Sequence, residues 1–96
     1  LAASESEAVM VTGGAYLMPI DFVGPGRRVV ILNGSADSAE PTVKIPRGRY
    51  IREAYLLQPL NKPEPIYVKQ TVWNGGITVK LEVAVPYLGM AVLFLE

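Results

Sequence analysis

Neither cysteine nor histidine occurs in this chain. The first absence removes any disulfide, any thiolate nucleophile and any cysteine-ligated zinc. The second removes the commonest general base and the commonest metal ligand. Lack of cysteine leaves the compartment open, because secreted proteins also do without it. An excess of charge is missing too: nine Lys and Arg balance nine Asp and Glu. A neutral total argues against nucleic acid as a partner, which normally requires a strongly basic face. No apolar run approaches the roughly 20 residues of a membrane span, so no span is expected and the chain reads as soluble. No window carries a convincing helical period; "YIREAYLLQPL" comes nearest, but its Tyr50-Ile51 start and the prolines at 59 and 63 favour a strand.

What the chain has is turns and short β-rich runs. Gly, Pro and Asn clusters recur every six to twelve residues, at 12–14, 24–26, 33–41, 46–48, 59–65, 74–76 and 86–89. Between them lie "AVMV", "AYLMPIDF", "RRVVIL", "TVKI", "YIREAYLL", "YVKQTVW", "ITVKLEVAV" and "MAVLFL". This spacing predicts an all-β, mainly antiparallel sandwich of seven to eight strands, Ig-like or Greek-key, in one domain over residues 1–96. In "ITVKLEVAV", Ile77, Val79, Leu81, Val83 and Val85 alternate with polar or small residues, so one face is expected inside and the other in water. "VVIL" and "AVLFL" are apolar without a break and should be central strands covered on both sides, by the opposite sheet and by a neighbour or a long loop. Pro19 has no backbone donor and should sit at an edge or a bend. Asn74-Gly75 predicts a type I′ hairpin with both central residues at positive φ, or a longer loop in which Gly76 forms a bulge.

The run of "RRVVILNGS", "TVKIPRGRYIREAYLL" and "VKQTVWNGGITVKLEVAVPYLGMAVLFLE", over about residues 27–96, resembles the C-terminal β-sandwich accessory domain that follows the TIM barrel in many glycoside hydrolases. Val29 to Asn33, Val43 to Pro46, Asn74 to Gly76 and Ala91 to Leu95 fit the slots of that pattern. The resemblance implies a module that packs on a partner domain and contacts carbohydrate. It carries no catalytic residue, since those belong to the barrel, and no cofactor. The chain is therefore expected not to be an enzyme.

Tyr67, Lys69, Thr71 and Trp73 share one parity, and if Val68 and Val72 face the core those four face out. Exposed rings could stack on a sugar; alternatively Trp73 covers the hairpin end and Tyr67 pairs across strands. Arg47, Arg49 and Arg52, with Tyr50 among them, form a basic patch. Such a patch suits a phosphate or carboxylate, the acidic "SESEA" arm of the same or a neighbouring chain, or plain solvent. Glu53 has Ile51 and Tyr55 at like parity and reads as an ion-pair partner for an arginine. Asn33-Gly34-Ser35 matches the N-glycosylation sequon in an expected turn; so short a motif often occurs by chance, and it favours an extracellular eukaryotic or archaeal context only to that extent.

A rival reading starts from the N-terminus. The chain begins at Leu1 rather than Met, as expected of a processed protein or a piece of a longer one, and "LAASESEA" has no signal-peptide character. Residues 1–12 could act as a donor strand, with Ala8, Val9, Met10 and Val11 adding to another subunit's sheet; alternatively Val9 to Val11 pairs within its own sandwich. The protein would then be a self-assembling subunit of a filament, pilus-like fibre or virion surface, with copies of itself as partners.

Overall fold

The computed structural model describes residues 8–96. No helix occurs among them, and none is long and apolar enough to cross a membrane. The strands are β1 (Met10–Thr12), β2 (Leu17–Phe22), β3 (Arg28–Asn33), β4 (Thr42–Pro46), β5 (Ile51–Leu57), β6 (Glu64–Pro65), β7 (Val68–Trp73), β8 (Gly76–Leu81) and β9 (Met90–Leu95). All eight expected segments contain a strand. The two-residue β6 is the addition, which makes nine among the described residues rather than seven to eight.

The strands form two antiparallel sheets, β1-β4-β8-β7 and β2-β3-β9-β5-β6, packed as a sandwich. Register puts the aliphatics of each sheet in rows on its inner face: Val43 opposite Val79 and Ile45 opposite Ile77, and across the seam Val29 opposite Leu93 and Ile31 opposite Ala91. All eight are fully buried. At about 1.5–3 kcal/mol for each large aliphatic removed from water, a one-residue slip of either central pair would erase the stability of the domain. β3 and β9 are central strands, and β2, which carries Pro19, lies at a sheet edge, both as expected.

Three local expectations are corrected. First, only Gly75 has positive φ in the hairpin, at 108°, whereas Asn74 does not. The two-residue loop thus has the sign pattern of a type II turn rather than type I′, and Gly76 pairs directly with Trp73. Second, β8 ends at Leu81. The chain bends at Glu82 and Val83, and Val85 returns to the core by a bridge to Ala39. Third, the ladder of β5 on β9 shifts between Ile51 and Glu53. This bulge at Arg52 breaks period two, so Ile51, Ala54 and Leu56 point inwards while Glu53 and Tyr55 point out.

Polar side chains tie the sheets where the aliphatics stop. Arg27 grips Asp21 of β2 through two bonds of 3.1 and 3.0 Å and donates to Pro46 O of β4 at 3.2 Å. Gln70 of β7 accepts from Ile51 N at 2.6 Å and donates to Ile51 O at 3.1 Å, mimicking a strand at the open end of β5. Asn33 is the one fully buried polar side chain among the described residues. Its Nδ2 donates to Asp37 O at 2.9 Å and Val85 O at 2.8 Å, while its Oδ1 accepts from Ser35 N at 2.9 Å. We expect Asn33→Ala to lower stability by about 2–3 kcal/mol, because it deletes three bonds and leaves buried partners unmet. Urea unfolding should show this against Thr71→Ala, which lies on an exposed face and should change stability by less than about 0.5 kcal/mol.

Candidate functional site

The two sheets present opposite kinds of outer face. On the four-stranded sheet, register aligns Thr42, Lys80 and Lys69 in one row and Lys44, Thr78 and Thr71 in the next. This is a polar face, and its Lys69–Lys80 cross-strand neighbours repel. Glu82 relieves Lys69 only partly, at 3.6 Å on an exposed surface.

Tyr67, Lys69, Thr71 and Trp73 do share this side, but they do not make one platform. Six residues of extended chain separate Tyr67 from Trp73 by roughly 20 Å. Tyr67 is an open ring, 84% exposed. Trp73 is half-buried and folds back over its own turn: a Cβ built on Gly76 would lie 2.8 Å from the indole and 2.4 Å from Ile45 O. Only glycine leaves the ring that seat. Lys44 adds its ammonium 5.0 Å from the ring centroid, and Trp73 Nε1 is buried without a hydrogen-bond partner among the described residues. Val72, expected in the core, is 71% exposed: it lies opposite buried Ile77 but on an edge strand that overhangs the sandwich.

Arg47 and Arg49 occupy the loop between β4 and β5, and Arg52 sits at the bulge; all three are exposed. Arg47 has φ of 61°, and its N–H donates to Gly75 O of the hairpin turn. Neither Arg49 nor Arg52 forms an ion pair among the described residues. The acidic residues expected to meet this patch, Glu5 and Glu7, lie outside the described residues. Glu53 does not pair with an arginine. It accepts a 2.5 Å bond from Tyr55 Oη, whose ring meets Phe94 edge-on at 6.0 Å. That bond, followed by the carboxylate's charge, raises the Tyr55 pKa above its ordinary value; the hydrogen bond to Glu96, followed by desolvation, raises that of Tyr50.

The sequon expectation is overturned. Asn33 has no exposed surface, and both hydrogens of its amide are engaged, so a glycan on Nδ2 is incompatible with this fold. Its argument for an extracellular setting goes with it. Of the expected donor strand, residues 1–7 lie outside the described residues. Met10, Val11 and Thr12 pair with Lys44, Val43 and Thr42 of the same chain, while Val9 and Val11 pack on its core; Ala8 is exposed. No three His, Cys, Asp or Glu group together to hold a metal ion among the described residues.

The second outer face was legible only as unbroken apolar runs. On the five-stranded sheet the outward rows read Met18–Leu32–Met90–Leu57, Ile20–Val30–Val92–Tyr55–Pro65 and Phe22–Arg28–Phe94–Glu53. Nothing among the described residues covers them, so no long loop of this chain supplies the outer cover expected for "VVIL" and "AVLFL"; of that expectation, cover by a neighbour is what is left. Met18, Ile20 and Phe22 are 50%, 47% and 46% exposed. A shallow groove of about 500 Å³ runs between Phe22, Val30, Val92, Phe94, Leu57 and Pro63. Sequence reasoning named none of these as site residues, although the missing alternation in β3 and β9 was the signal.

No protein-family model, curated protein or solved structure matches this chain. The geometry therefore carries the functional argument.

Two expectations follow. Trp73→Ala should cost about 1–2 kcal/mol of stability by uncovering the hairpin, seen as a lower thermal midpoint. Glu53→Gln should bring the Tyr55 titration down towards 10.0, followed by tyrosinate absorbance. The sign is fixed by linkage: a raised folded pKa means the bond contributes below the unfolded value and is lost as pH rises through the folded one.

Proposed function

We propose that this chain is a non-catalytic β-sandwich module that packs against another protein surface through the outer face of its five-stranded sheet. The resemblance to the accessory sandwich of glycoside hydrolases points to the same kind of work. The observation that carries the reading is the contrast between the two outer faces. The outward positions of β4, β7 and β8 are mostly threonine and lysine, as water requires. Those of β2, β3, β9 and β5 are aliphatic or aromatic except at Arg28, at Glu53 and at Arg52 in the bulge beside it. Four strands by three rows project to about 400 Å², the size of the largest apolar patch on a typical soluble monomer, which is often a functional one.

Carbohydrate contact belongs to this proposal only at Tyr67, the one open ring of the expected platform. The strand-donating reading has less support, since β1 already occupies the edge of its own sheet.

Val92→Lys places a charge at the centre of the apolar face without touching the inner core. In dilute solution it should sharply reduce binding of an apolar fluorescent dye and retention on a phenyl matrix. Its stability should stay within about 1 kcal/mol of the parent, whereas Leu81→Ala in the core should lose about 2–5 kcal/mol. Unchanged dye binding, or a stability loss as large as that of Leu81→Ala, would overturn the reading.

A further inference from the structure

We propose that the occupant of the apolar face is a second copy of this chain, related by a two-fold axis that runs along β9. This rests on the docking reading above and names its partner. β9 is the middle strand of the sheet, with β3 and β2 on one side and β5 and β6 on the other. A two-fold along β9 lays β3 of each copy over β5 of the other and sets β9 against β9. Two sheets stacked face to face in this way reproduce the aligned packing of a sandwich, with strands within about 30° of one another.

The register of Arg28 and Glu53 selects this axis; a third charge, Arg52, is exposed at the bulge beside Glu53. Arg28 and Glu53 both stand opposite Phe94 in register, one strand away on either side. Rotation about β9 therefore brings each Arg28 to Glu53 of the other copy, twice over by symmetry. Val30 then faces Tyr55 of the second copy, and Val92 faces its own counterpart. An axis across the strands would instead bury Arg28 against Leu32 and Glu53 against Leu57, leaving four desolvated charges without partners. Within the described residues, neither charge has an ionic partner of its own. Arg28 lies over the Phe22 ring at 5.3 Å from its centroid, and Glu53 accepts from the Tyr55 hydroxyl. The face projects to about 400 Å² with the Arg28 and Glu53 positions included, about half of the roughly 800 Å² per partner of a standard interface, which suits a weak, micromolar dimer.

Sedimentation equilibrium on the described chain at up to about 100 μM, where a Kd of about 10 μM or tighter is evident, should give the mass of a dimer. Arg28→Glu and Glu53→Arg should each weaken the dimer about tenfold or more, since each creates two like-charged contacts. Mixing the two variants in equal amounts should restore a dimer of one of each, because both contacts are then again opposite in charge. Circular dichroism checks that the variants are folded. A parent that stays monomeric while still binding the apolar dye overturns the second copy as occupant but leaves the docking face standing, with a different protein as its partner. A dimer indifferent to both charge reversals, or single variants whose mixture does not reassociate, overturns the axis along β9. A dimer that persists undiminished in Val92→Lys would place the contact elsewhere and overturn both this inference and the docking reading.

Discussion

The seam between the sheets fixes the positions of the other groups. Val29, Ile31, Val43, Ile45, Ile77, Val79, Leu81 and Leu93 meet there with no exposed surface. Because strand geometry has period two, each residue locked into the seam dictates that its neighbours point outwards. The composition of the two outer faces is thus a free choice within the fold. One face was given threonine and lysine, and the other methionine, isoleucine, valine and phenylalanine. The seam explains why the second face exists; it does not explain why that face is apolar, which is the ground for proposing a partner there.

Polar contacts close the seam where aliphatics run out. Asn33 holds the turn after β3 against Val85, and Arg27 ties the end of β2 to the end of β4. These groups are buried or half-buried and hydrogen-bonded, which is the condition under which polar atoms fit inside a core. The same chemistry settles the role of Asn33. A side chain that must satisfy two carbonyls cannot also carry a modification, whatever its sequence context suggests.

Much of this was legible from the chain. Turn residues located the strands because glycine and proline act through local backbone geometry. Alternation in "ITVKL" placed Ile77, Val79 and Leu81 inside because that signal depends on nothing distant. The rest depended on tertiary detail. The bulge at Arg52 reversed the side on which Glu53 lies, and no local cue marks it. Trp73 had the parity of an open platform, but Gly76 across the turn gave its ring somewhere to lie. Val72 had the parity of a core residue and overhangs an edge instead. The candidate site was the least legible part: apolar runs in β3 and β9 signalled two apolar faces without saying that one is left open.

The clip between Gln70 and the backbone of Ile51 bears on how such a molecule can associate without limit. A ladder of extended chains lengthens by offering free amides and carbonyls to the next chain. At Ile51, the first residue of β5, both groups are already taken by a side-chain amide from the opposite sheet. Stacking face on face exhausts the sticky surface in a single event, whereas joining end on end would renew it each time; the clip closes one route to fibrils while leaving the finite one open.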